Sequence, residues 1–248
     1  MKKETSKSEY IKSNPETIME MFSTIALKYD RANAVLSFNL HKYWNRQLVK
    51  NVLRMAKPTS YEFLDLCSGT GDIAIEIMKF QKRNSKVFLL DFCNEMLKCA
   101  EKKITQLKNI GIHEQAFIQG DAQNLPFQDQ QMDCITIAYG IRNIKNPEKC
   151  IQESFRTLKK DGVIGILELT QPSNKILKYG HSIYLQKIMP QLGKLVATNK
   201  SAYDYLCNSI NTFIPPNELM NMLSNNNFQN ITKISMLGGI ATILIAKK

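Results

Sequence analysis

The segment FLDLCSGTGD, at residues 63–72, constrains the fold of this chain more than any other feature. An apolar run carries Asp65 near its end, and a turn with glycine at positions 69 and 71 follows at once. A buried strand, a tight ligand-binding loop and a helix follow one another in this order in α/β proteins. The dinucleotide fingerprint G-x-G-x-x-G is absent, and so is the G-K-[ST] of a P-loop. The loop is therefore predicted to hold neither NAD nor a P-loop nucleotide.

Apolar runs alternate with helical patterns from residue 61 onward. Strand patterns occur in YEFLDL, KVFLLD, QAFIQGD, DCITIAYG and GVIGILEL, and helical patterns in DIAIEIMKFQK, in NEMLKCAEKKITQLK and at about 147–159. Asn94 is the predicted N-cap of the second helix. The runs ITKISML and IATILIA, joined through Gly238 and Gly239, predict an antiparallel hairpin. We expect an α/β fold with a Rossmann-like, doubly wound sheet that is mostly parallel and ends in this hairpin.

Two helical segments lie outside this alternation. We predict an N-terminal helical cap over residues 1–57 and an α/β domain over 58–248, with a helical insertion at about 171–226. Pro190 and the pair Pro215-Pro216 are expected to break the helices of the insertion. Both segments are placed over the carboxyl ends of the strands, where open α/β sheets bind their ligands.

The strand and loop at residues 63–72 resemble the first motif of class I methyltransferases that use S-adenosylmethionine, in which an apolar strand ends D-x-x-x-G-x-G. The resemblance implies that Gly69 and Thr70 line this cofactor. Asp91 ends the second strand, where a carboxylate can accept both hydrogen bonds of a ribose diol. Asp121 and Ala122, after the third strand, stand where such an enzyme contacts adenine. Either acid could instead only cap a helix, and that alternative stays open.

A second resemblance narrows the family. YDRANAVLSFNLHKYW, at residues 29–44, resembles the signature of the C-methyltransferases of menaquinone and ubiquinone biosynthesis, with Ala32 where methionine is usual. The positions that match are Tyr29, Asp30, Asn33, Leu36, Ser37, His41 and Trp44. RTLKKDGVIGILELT resembles a second signature of the same family and keeps its glutamate as Glu168, but has Lys160-Asp161 where Pro-Gly is usual. The resemblance covers about residues 18–247.

The resemblance implies C-methylation of demethylmenaquinol to menaquinol by S-adenosylmethionine. A ring carbon of such a quinol becomes nucleophilic once a hydroxyl loses its proton, and the resulting phenolate needs a cation or hydrogen-bond donor. Arg142 and Asn143, just after the fourth strand, are predicted to supply it, and His41 to accept the proton. His41 could instead be a helix-packing residue with a local hydrogen bond. Tyr29 is predicted to lie over the cofactor, with a place in the core as the alternative.

The sequence argues against a metal site and a cysteine nucleophile, and it leaves a second acceptor open. The histidines are scattered and the six cysteines form no C-x-x-C pair, so no metal site is predicted. Cys67 stands where related loops carry glycine, and we expect it to fill a roomier turn, not to act as a nucleophile. Methylation of a polyprenyl benzoquinol in ubiquinone biosynthesis, or of both acceptors by one enzyme, stays open, because the signatures are shared. The absence of an Arg-rich targeting extension favours the menaquinone pathway.

The net charge of +11 is unevenly distributed. Residues 1–57 carry 11 basic and 5 acidic side chains, residues 58–170 carry 14 and 15, and residues 171–248 carry 8 and 2. The basic flanks suit an anionic membrane surface, where a polyprenylated quinol resides. The same charge would suit RNA, but AYGIRN occupies the place where amino-methylating nucleic-acid enzymes carry Pro-Pro-aromatic, so no nucleic-acid partner is expected.

A remoter alternative is a cofactor-binding scaffold without activity. The chain shows no secretory signal and no apolar run of about 20 residues, so we expect a cytoplasmic protein at the inner face of the membrane. The sequence leaves the oligomeric state open, a homo-oligomer included.

Overall fold

Three helices precede the sheet in the computed structural model, which describes residues 14–56, 62–81, 85–107, 114–196 and 200–248. They are α1 (Pro15–Ile25), α2 (Tyr29–Leu36) and α3 (Leu40–Ala56). The start of the predicted N-terminal cap and its predicted boundary with the α/β domain lie outside the described residues. Asn14 caps α1 by accepting a hydrogen bond from the Thr17 N–H, and proline occupies the first turn.

The described residues form a seven-stranded sheet with the order β3-β2-β1-β4-β5-β7-β6. The strands are β1 (Glu62–Leu66), β2 (Lys86–Asp91), β3 (Glu114–Gln119), β4 (Met132–Ala138), β5 (Leu158–Leu169), β6 (Gln229–Met236) and β7 (Ala241–Lys247). Strands β1 to β5 pair in parallel, and β7 pairs antiparallel with both β5 and β6. The predicted sheet, mostly parallel with a C-terminal hairpin, is confirmed. Its order reverses between β1 and β4, which is where such sheets bind ligands.

Seven further α-helices cover the faces of the sheet and the carboxyl ends of its strands. They are α4 (Asp72–Phe80), α5 (Asn94–Thr105), α6 (Pro147–Thr157), α7 (Lys175–Ile183), α8 (Met189–Val196), α9 (Lys200–Thr212) and α10 (Pro216–Asn225), counted in the described part of the chain. The predicted cap of α5 was wrong by one residue, because Cys93 is the N-cap and Asn94 the first helical residue. The Asp91 carboxylate accepts the Cys93 N–H at 2.9 Å and so turns the chain one residue earlier.

Of the predicted helix breaks in the insertion, the one at Pro215-Pro216 is confirmed, since α9 ends at Thr212 and α10 begins at Pro216, whereas the one at Pro190 is wrong. A π-helical segment at Tyr184–Ile188 leads from α7 into α8, whose second residue is Pro190, so the chain stays helical there. A wider π turn accommodates a proline ring that would clash with the carbonyl four residues earlier in a regular α-helix. Pro215 and Pro216 begin a helix, as the N-cap and first residue of α10, since a first turn needs no N–H at that position.

Helix α3 is anchored on one face of the sheet. Its buried residues Trp44, Leu48 and Val52 belong to the core formed with β1, β2 and β5. A Cβ atom at Gly165 of β5 would lie 2.3 Å from Cγ2 of Val52, so only glycine permits this approach. The first turn of α3, which carries His41, is thereby held near the carboxyl ends of the strands.

Candidate active site

The turn between β1 and α4 has an unusual backbone. Cys67, Gly69 and Gly71 have φ of +53°, +52° and +80°, in the left-handed region that favours glycine. A Cβ atom at Gly71 would come within 3.1 Å of the Ala100 side chain, whereas one at Gly69 would meet nothing within 4 Å. Gly71 therefore permits close packing of the helix, and Gly69 borders open space.

Asp91 shapes this turn from the neighbouring strand. Its buried carboxylate accepts the Gly69 N–H at 2.8 Å through Oδ2 and the Cys93 N–H at 2.9 Å through Oδ1. Burial raises the pKa of Asp91, and these backbone bonds oppose the rise. A third backbone N–H, that of Phe92, also bonds to this carboxylate, which with about four acceptor positions can still accept a further donor.

A cavity of about 270 Å³ lies in front of this turn. The predicted cofactor residues that line it are Tyr29, Gly69, Asp91, Asp121 and Ala122, and the predicted catalytic residue Asn143 lines it as well. The Asp121 carboxylate accepts the Gln123 N–H at 2.8 Å, so this acid both caps its own turn and borders the cavity. Five of the six predicted cofactor residues are thus brought together at one edge of the sheet.

Thr70, the sixth, lines a smaller adjoining cavity together with Ser68, Asp65 and Asp72. The Ser68 hydroxyl is buried and has no hydrogen-bond partner among the described residues. A buried hydroxyl without a partner is unfavourable, so a polar group brought by a ligand would satisfy it. A hydroxyl beside carboxylates suits the charged methionyl end of S-adenosylmethionine, and the residues present therefore fit this cofactor.

Asp65 has the most strongly perturbed carboxyl group of this turn. Its pKa is raised to about 7, first by burial and further by the carboxylates of Asp91 and Asp72. Hydrogen bonds from the Thr136 hydroxyl at 2.9 Å and the Ala74 N–H at 3.2 Å act in the opposite direction. The folded protein therefore keeps a proton on Asp65 that the unfolded chain has released between about pH 4 and about pH 7.

This difference predicts a pH dependence of stability. Since the folded state binds more protons, the contribution of Asp65 to the free energy of unfolding falls by about 1.4 kcal/mol per pH unit as the pH rises through this interval, and stays constant above it. Asp65→Asn lacks this titration. We expect it to gain about 2–3 kcal/mol relative to the parent protein between pH 5 and pH 8. Urea unfolding of both proteins without cofactor measures the gain, and parallel pH profiles would contradict it.

A second cavity, of about 140 Å³, lies beside the first under the helical cap. Its walls are mostly apolar and come from α1 to α3, from α7 to α9 and from the ends of β4 and β5. They include Phe22, Leu36, Trp44, Leu169, Tyr184, Leu185, Met189 and Ile210. The polar side chains in these walls include His41, Arg142 and His181. Tyr29 and Tyr139 line both cavities, so the two spaces meet at these rings.

Tyr139 was not singled out in the sequence. It follows β4 with φ of +56°, a conformation that is rare for an aromatic residue and is often found at functional sites. Its hydroxyl donates to Oδ1 of Asn45 at 3.0 Å, and its carbonyl accepts from Nη1 of Arg142 at 2.7 Å. A Cβ atom at the next residue, Gly140, would lie 2.3 Å from Cβ of Cys67, so the turns after β1 and β4 interlock.

Arg142 forms a buried ion pair that the sequence did not reveal. Its Nη1 contacts Oε1 of Glu168, and the two side chains are 5% and 2% exposed. Burial opposes the charge of Arg142, but the Glu168 carboxylate holds its pKa above the ordinary value. Nε of Arg142 donates to the Ser209 hydroxyl at 3.3 Å, and Oδ1 of Asn143 accepts the Tyr205 hydroxyl at 2.6 Å. Helix α9 therefore holds Arg142 and Asn143, two of the three predicted catalytic residues.

The surroundings of His41 are compatible with both roles considered for it, a packing residue and a proton acceptor. It is buried, and its Nδ1 lies 2.6 Å from the Ser37 hydroxyl, which is the local bond of a packing residue. It also lines the apolar cavity, where Nε2 is the ring nitrogen left for another partner. Burial lowers the pKa of His41, so the ring is neutral at neutral pH and one nitrogen can accept a proton.

Lys103 links the N-terminal helices to the first motif. Its ammonium lies 2.6 Å from Oδ2 of Asp30 and 2.6 Å from Oδ1 of Asp72. The Thr70 hydroxyl donates to the same Asp30 carboxylate. Nothing in the sequence distinguishes Lys103, because a lysine in a charged helical stretch is usually solvated. These contacts fix the start of α2, and with it Tyr29, beside the turn.

The environment of Cys67 opposes nucleophilic chemistry. Burial raises the pKa of its thiol well above the usual value, with Asp91 and other neighbours adding to the rise. The nucleophile in cysteine chemistry is the thiolate, which this setting disfavours.

Comparisons with known proteins agree with this geometry. The chain matches the ubiE/COQ5 methyltransferase family over residues 10–248. A protein of Protochlamydia amoebophila named demethylmenaquinone methyltransferase is 48% identical over 97% of this chain and 98% of that protein. Proteins of the same name from Chlamydia felis and Staphylococcus aureus are 37% and 33% identical, over 95% and 96% of this chain and 97% and 95% of their own lengths.

Solved structures show a similar fold. A SAM-dependent methyltransferase of Thermotoga maritima, described as a possible histamine N-methyltransferase, superposes with a TM-score of 0.61 at 17% identity, over 92% of this chain and 99% of that chain. A putative S-adenosyl-L-methionine-dependent methyltransferase of Methanococcus maripaludis gives 0.58 at 19% identity, over 89% and 91%. At these identities the likeness concerns the fold alone, and it confirms the fold class predicted from the first motif.

Proposed function

The chain belongs to the ubiE/COQ5 methyltransferase family, and from this premise we propose that it methylates a ring carbon of demethylmenaquinol, with S-adenosylmethionine as the donor, to give menaquinol. It is an enzyme that uses S-adenosylmethionine. The observation that carries the choice of acceptor is the apolar cavity with a buried arginine, which meets the cofactor cavity at Tyr29 and Tyr139. Ubiquinone biosynthesis is not favoured, because relatives that are 48% and 37% identical bear the menaquinone name.

The cofactor would be held by the residues that line the cavity of about 270 Å³ and the smaller cavity that adjoins it. Asp91 would accept the ribose hydroxyls, Asp121 and Ala122 would border the adenine, and Gly69 and Ser68 would face the methionyl portion. S-adenosylmethionine supplies, when bound, a methyl group on a sulfonium that a carbanion-like ring carbon can attack. The chain must bring the acceptor into line with that methyl group, and such positioning is worth roughly 7–11 kcal/mol of a barrier.

The residues of the apolar cavity would activate the acceptor. Nε2 of His41 takes the proton of a ring hydroxyl, and Arg142 stabilises the phenolate oxygen that results, with Asn143 assisting from the adjoining cofactor cavity. After the methyl group has been transferred, the ring carbon loses its hydrogen as a proton and His41 returns a proton to the oxygen, which restores the aromatic quinol. Arg142 stays charged throughout, because Glu168 is paired with it, and so it does not act as the base. The surrounding apolar walls exclude water and strengthen these electrostatic interactions.

The helical segments at 1–57 and about 171–226 would act as a cap around the acceptor. Their described parts supply most of the apolar walls, from Phe22 and Leu36 on one side to Tyr184, Leu185 and Met189 on the other. The remaining residues of 58–248 would form the methyltransferase domain that binds the cofactor.

One assay with two acceptors tests the proposal. Purified protein and methyl-labelled S-adenosylmethionine are offered dithionite-reduced demethylmenaquinone or the corresponding demethylated benzoquinol, and products are identified by mass spectrometry. We expect label on the naphthoquinol. Label on the benzoquinol alone would overturn the choice of acceptor. Label on neither, with cofactor binding intact, would favour an RNA substrate or a scaffold.

The acceptor carries a polyprenyl tail, so we also propose that the protein works at the cytoplasmic face of the membrane. Among the described helices, none has the length and apolar content that a membrane span requires. The helical segments of the cap instead carry exposed apolar side chains with exposed lysines beside them in the sequence. We call these residues together the basic apolar face. It comprises Phe38, Tyr43, Ile176, Tyr179 and Ile188 with Lys42, Lys175, Lys178 and Lys187. The centroids of the Phe38 and Tyr184 rings lie 6.3 Å apart, so the residues of this face around the start of α3 adjoin those on α7 and on the π-helical segment that follows it.

Charge favours an anionic bilayer as the partner of this face. Residues 171–196 contain four lysines and no acidic residue. A lysine near an anionic surface contributes about 1 kcal/mol to binding, so replacing Lys175, Lys178 and Lys187 by glutamine is expected to weaken binding to anionic vesicles by about 100-fold. Vesicle sedimentation measures this, with neutral vesicles and turnover of a short-tailed acceptor as controls. Equal binding of the parent protein to anionic and neutral vesicles would refute the proposed partner.

A further inference from the structure

His181 is a buried polar residue that the proposed mechanism does not use. It lies near the end of α7, is 8% exposed, and lines the same apolar cavity as His41 and Arg142. It belongs to the cap, whereas Arg142 follows a strand of the sheet. The cavity therefore receives polar side chains from both the cap and the sheet.

The imidazole of His181 forms no hydrogen bond or ion pair with any of the described residues. His41, the other buried histidine described, has its Ser37 partner. The ring nitrogens of His181 are not fully enclosed by protein, since Ser68 Oγ is the one unpartnered buried polar side-chain atom of the described residues. A ligand in the cavity can therefore reach them, and a ring nitrogen that a ligand covers needs a hydrogen-bond partner. Burial lowers the pKa of His181, so the ring is neutral, with one N–H donor and one acceptor nitrogen.

We propose that His181 forms a hydrogen bond with one of the two ring hydroxyls of the acceptor and thereby selects a quinol. The inference rests on the proposed function, because a quinol carries two hydroxyls on opposite sides of its ring. Arg142 would meet the hydroxyl that becomes a phenolate, and His181 would meet the other one from the cap. A single orientation of the ring in the cavity then satisfies both groups.

The hydrogen bond between His181 and the acceptor would determine which acceptors the enzyme uses. A site built around a hydrogen bond rejects an analogue that lacks the partner group, since its own polar atom is then left buried and unpaired. An apolar cavity alone would distinguish a quinol poorly from its methyl ether. His181 is therefore assigned to recognition of the acceptor, and the proton transfer remains with His41.

The test compares His181→Phe and His181→Leu, which cannot form the bond, with His181→Gln, which can. Ser182→Ala is the matched control on the same helix, because the Ser182 hydroxyl accepts a hydrogen bond from Nε2 of Gln186 at 3.1 Å and Ser182 is not among the described residues that line the cavity. The acceptors are short-tailed demethylmenaquinol and its monomethyl ether that keeps the activating hydroxyl. Melting temperature and S-adenosylhomocysteine affinity establish that each variant is folded.

We expect both apolar variants to lose about tenfold or more in kcat/KM for the quinol, mainly through KM, and the glutamine variant to retain most of it. The ether should be a poor acceptor for the parent protein, whereas the apolar variants should hardly distinguish the two acceptors. Unchanged kcat/KM in a folded apolar variant, or an equal loss with both acceptors, would overturn the role of His181. A parent protein that is inactive with demethylmenaquinol would instead refute the proposed function.

Discussion

Asp91→Asn is expected to weaken the binding of S-adenosylhomocysteine by about 100-fold or more. The carboxylate accepts N–H groups from Gly69 and Cys93, one on each oxygen. Asparagine has a single acceptor oxygen, so its NH2 group must face one of these donors and leave a buried N–H unpaired. The ribose loses a charged acceptor as well. Hydrogen bonds to charged groups contribute about 1.5–3 kcal/mol each, and two of them account for the expected loss.

Isothermal titration with S-adenosylhomocysteine measures this effect, since that ligand keeps the ribose, the adenine and the methionyl portion. Asp161→Asn is the matched control: the same substitution at an exposed acid that pairs with Lys247 far from the cavities. It should bind the ligand as the parent protein does. If Asp91→Asn bound within a factor of about three of the parent protein, the ribose contact would have to lie elsewhere.

The strands and the cofactor acids could be predicted because their signals are local. A strand of a parallel sheet is buried on both faces, so KVFLLD is an unbroken apolar run, and β2 was predicted at its observed residues 86–91. The position of Asp91 at the end of that run then placed it at the edge where ligands bind. Spacing within about 30 residues was enough for this part of the site.

The partners of the catalytic residues depend on contacts between distant segments. Glu168 is 26 residues from Arg142, and Tyr205 is 62 residues from Asn143. Lys103 lies 73 residues from Asp30. No periodicity links such positions, because the sheet and the cap bring them together. The signature that contains Glu168 marked its place, but only the fold reveals that it neutralises a buried arginine.

Two local predictions failed because a neighbour changed the backbone. The expected break at Pro190 is absorbed by a π-helical segment, which propensity rules for α-helices do not include. The N-cap of α5 is Cys93 and not Asn94, because the Asp91 carboxylate at the end of the preceding strand accepts the Cys93 N–H. No prediction was made for Tyr139, since nothing in its residue type favours the positive φ that it adopts.

Breaking the Arg142–Glu168 pair is expected to have the largest effect on the protein as a whole. Both side chains are almost fully buried, so Glu168→Gln leaves an unpaired cation in the core and should lower the free energy of unfolding by about 3–5 kcal/mol. Arg142→Met leaves an unpaired carboxylate and should cost about as much. Methyl transfer should fall by at least about 100-fold in both variants, because the phenolate loses its stabilising partner or that partner is displaced.

The double variant Arg142→Met/Glu168→Leu separates stability from catalysis. Replacing a buried ion pair by apolar residues of similar volume is often neutral or stabilising, so its free energy of unfolding should return close to that of the parent protein. Its activity should not return, since no cation then faces the acceptor. Urea unfolding and the methyl-transfer assay measure the two quantities on the same four proteins. Recovery of activity along with stability would mean that Arg142 serves only to balance Glu168, and the phenolate would have to be stabilised by Asn143 or His41 instead.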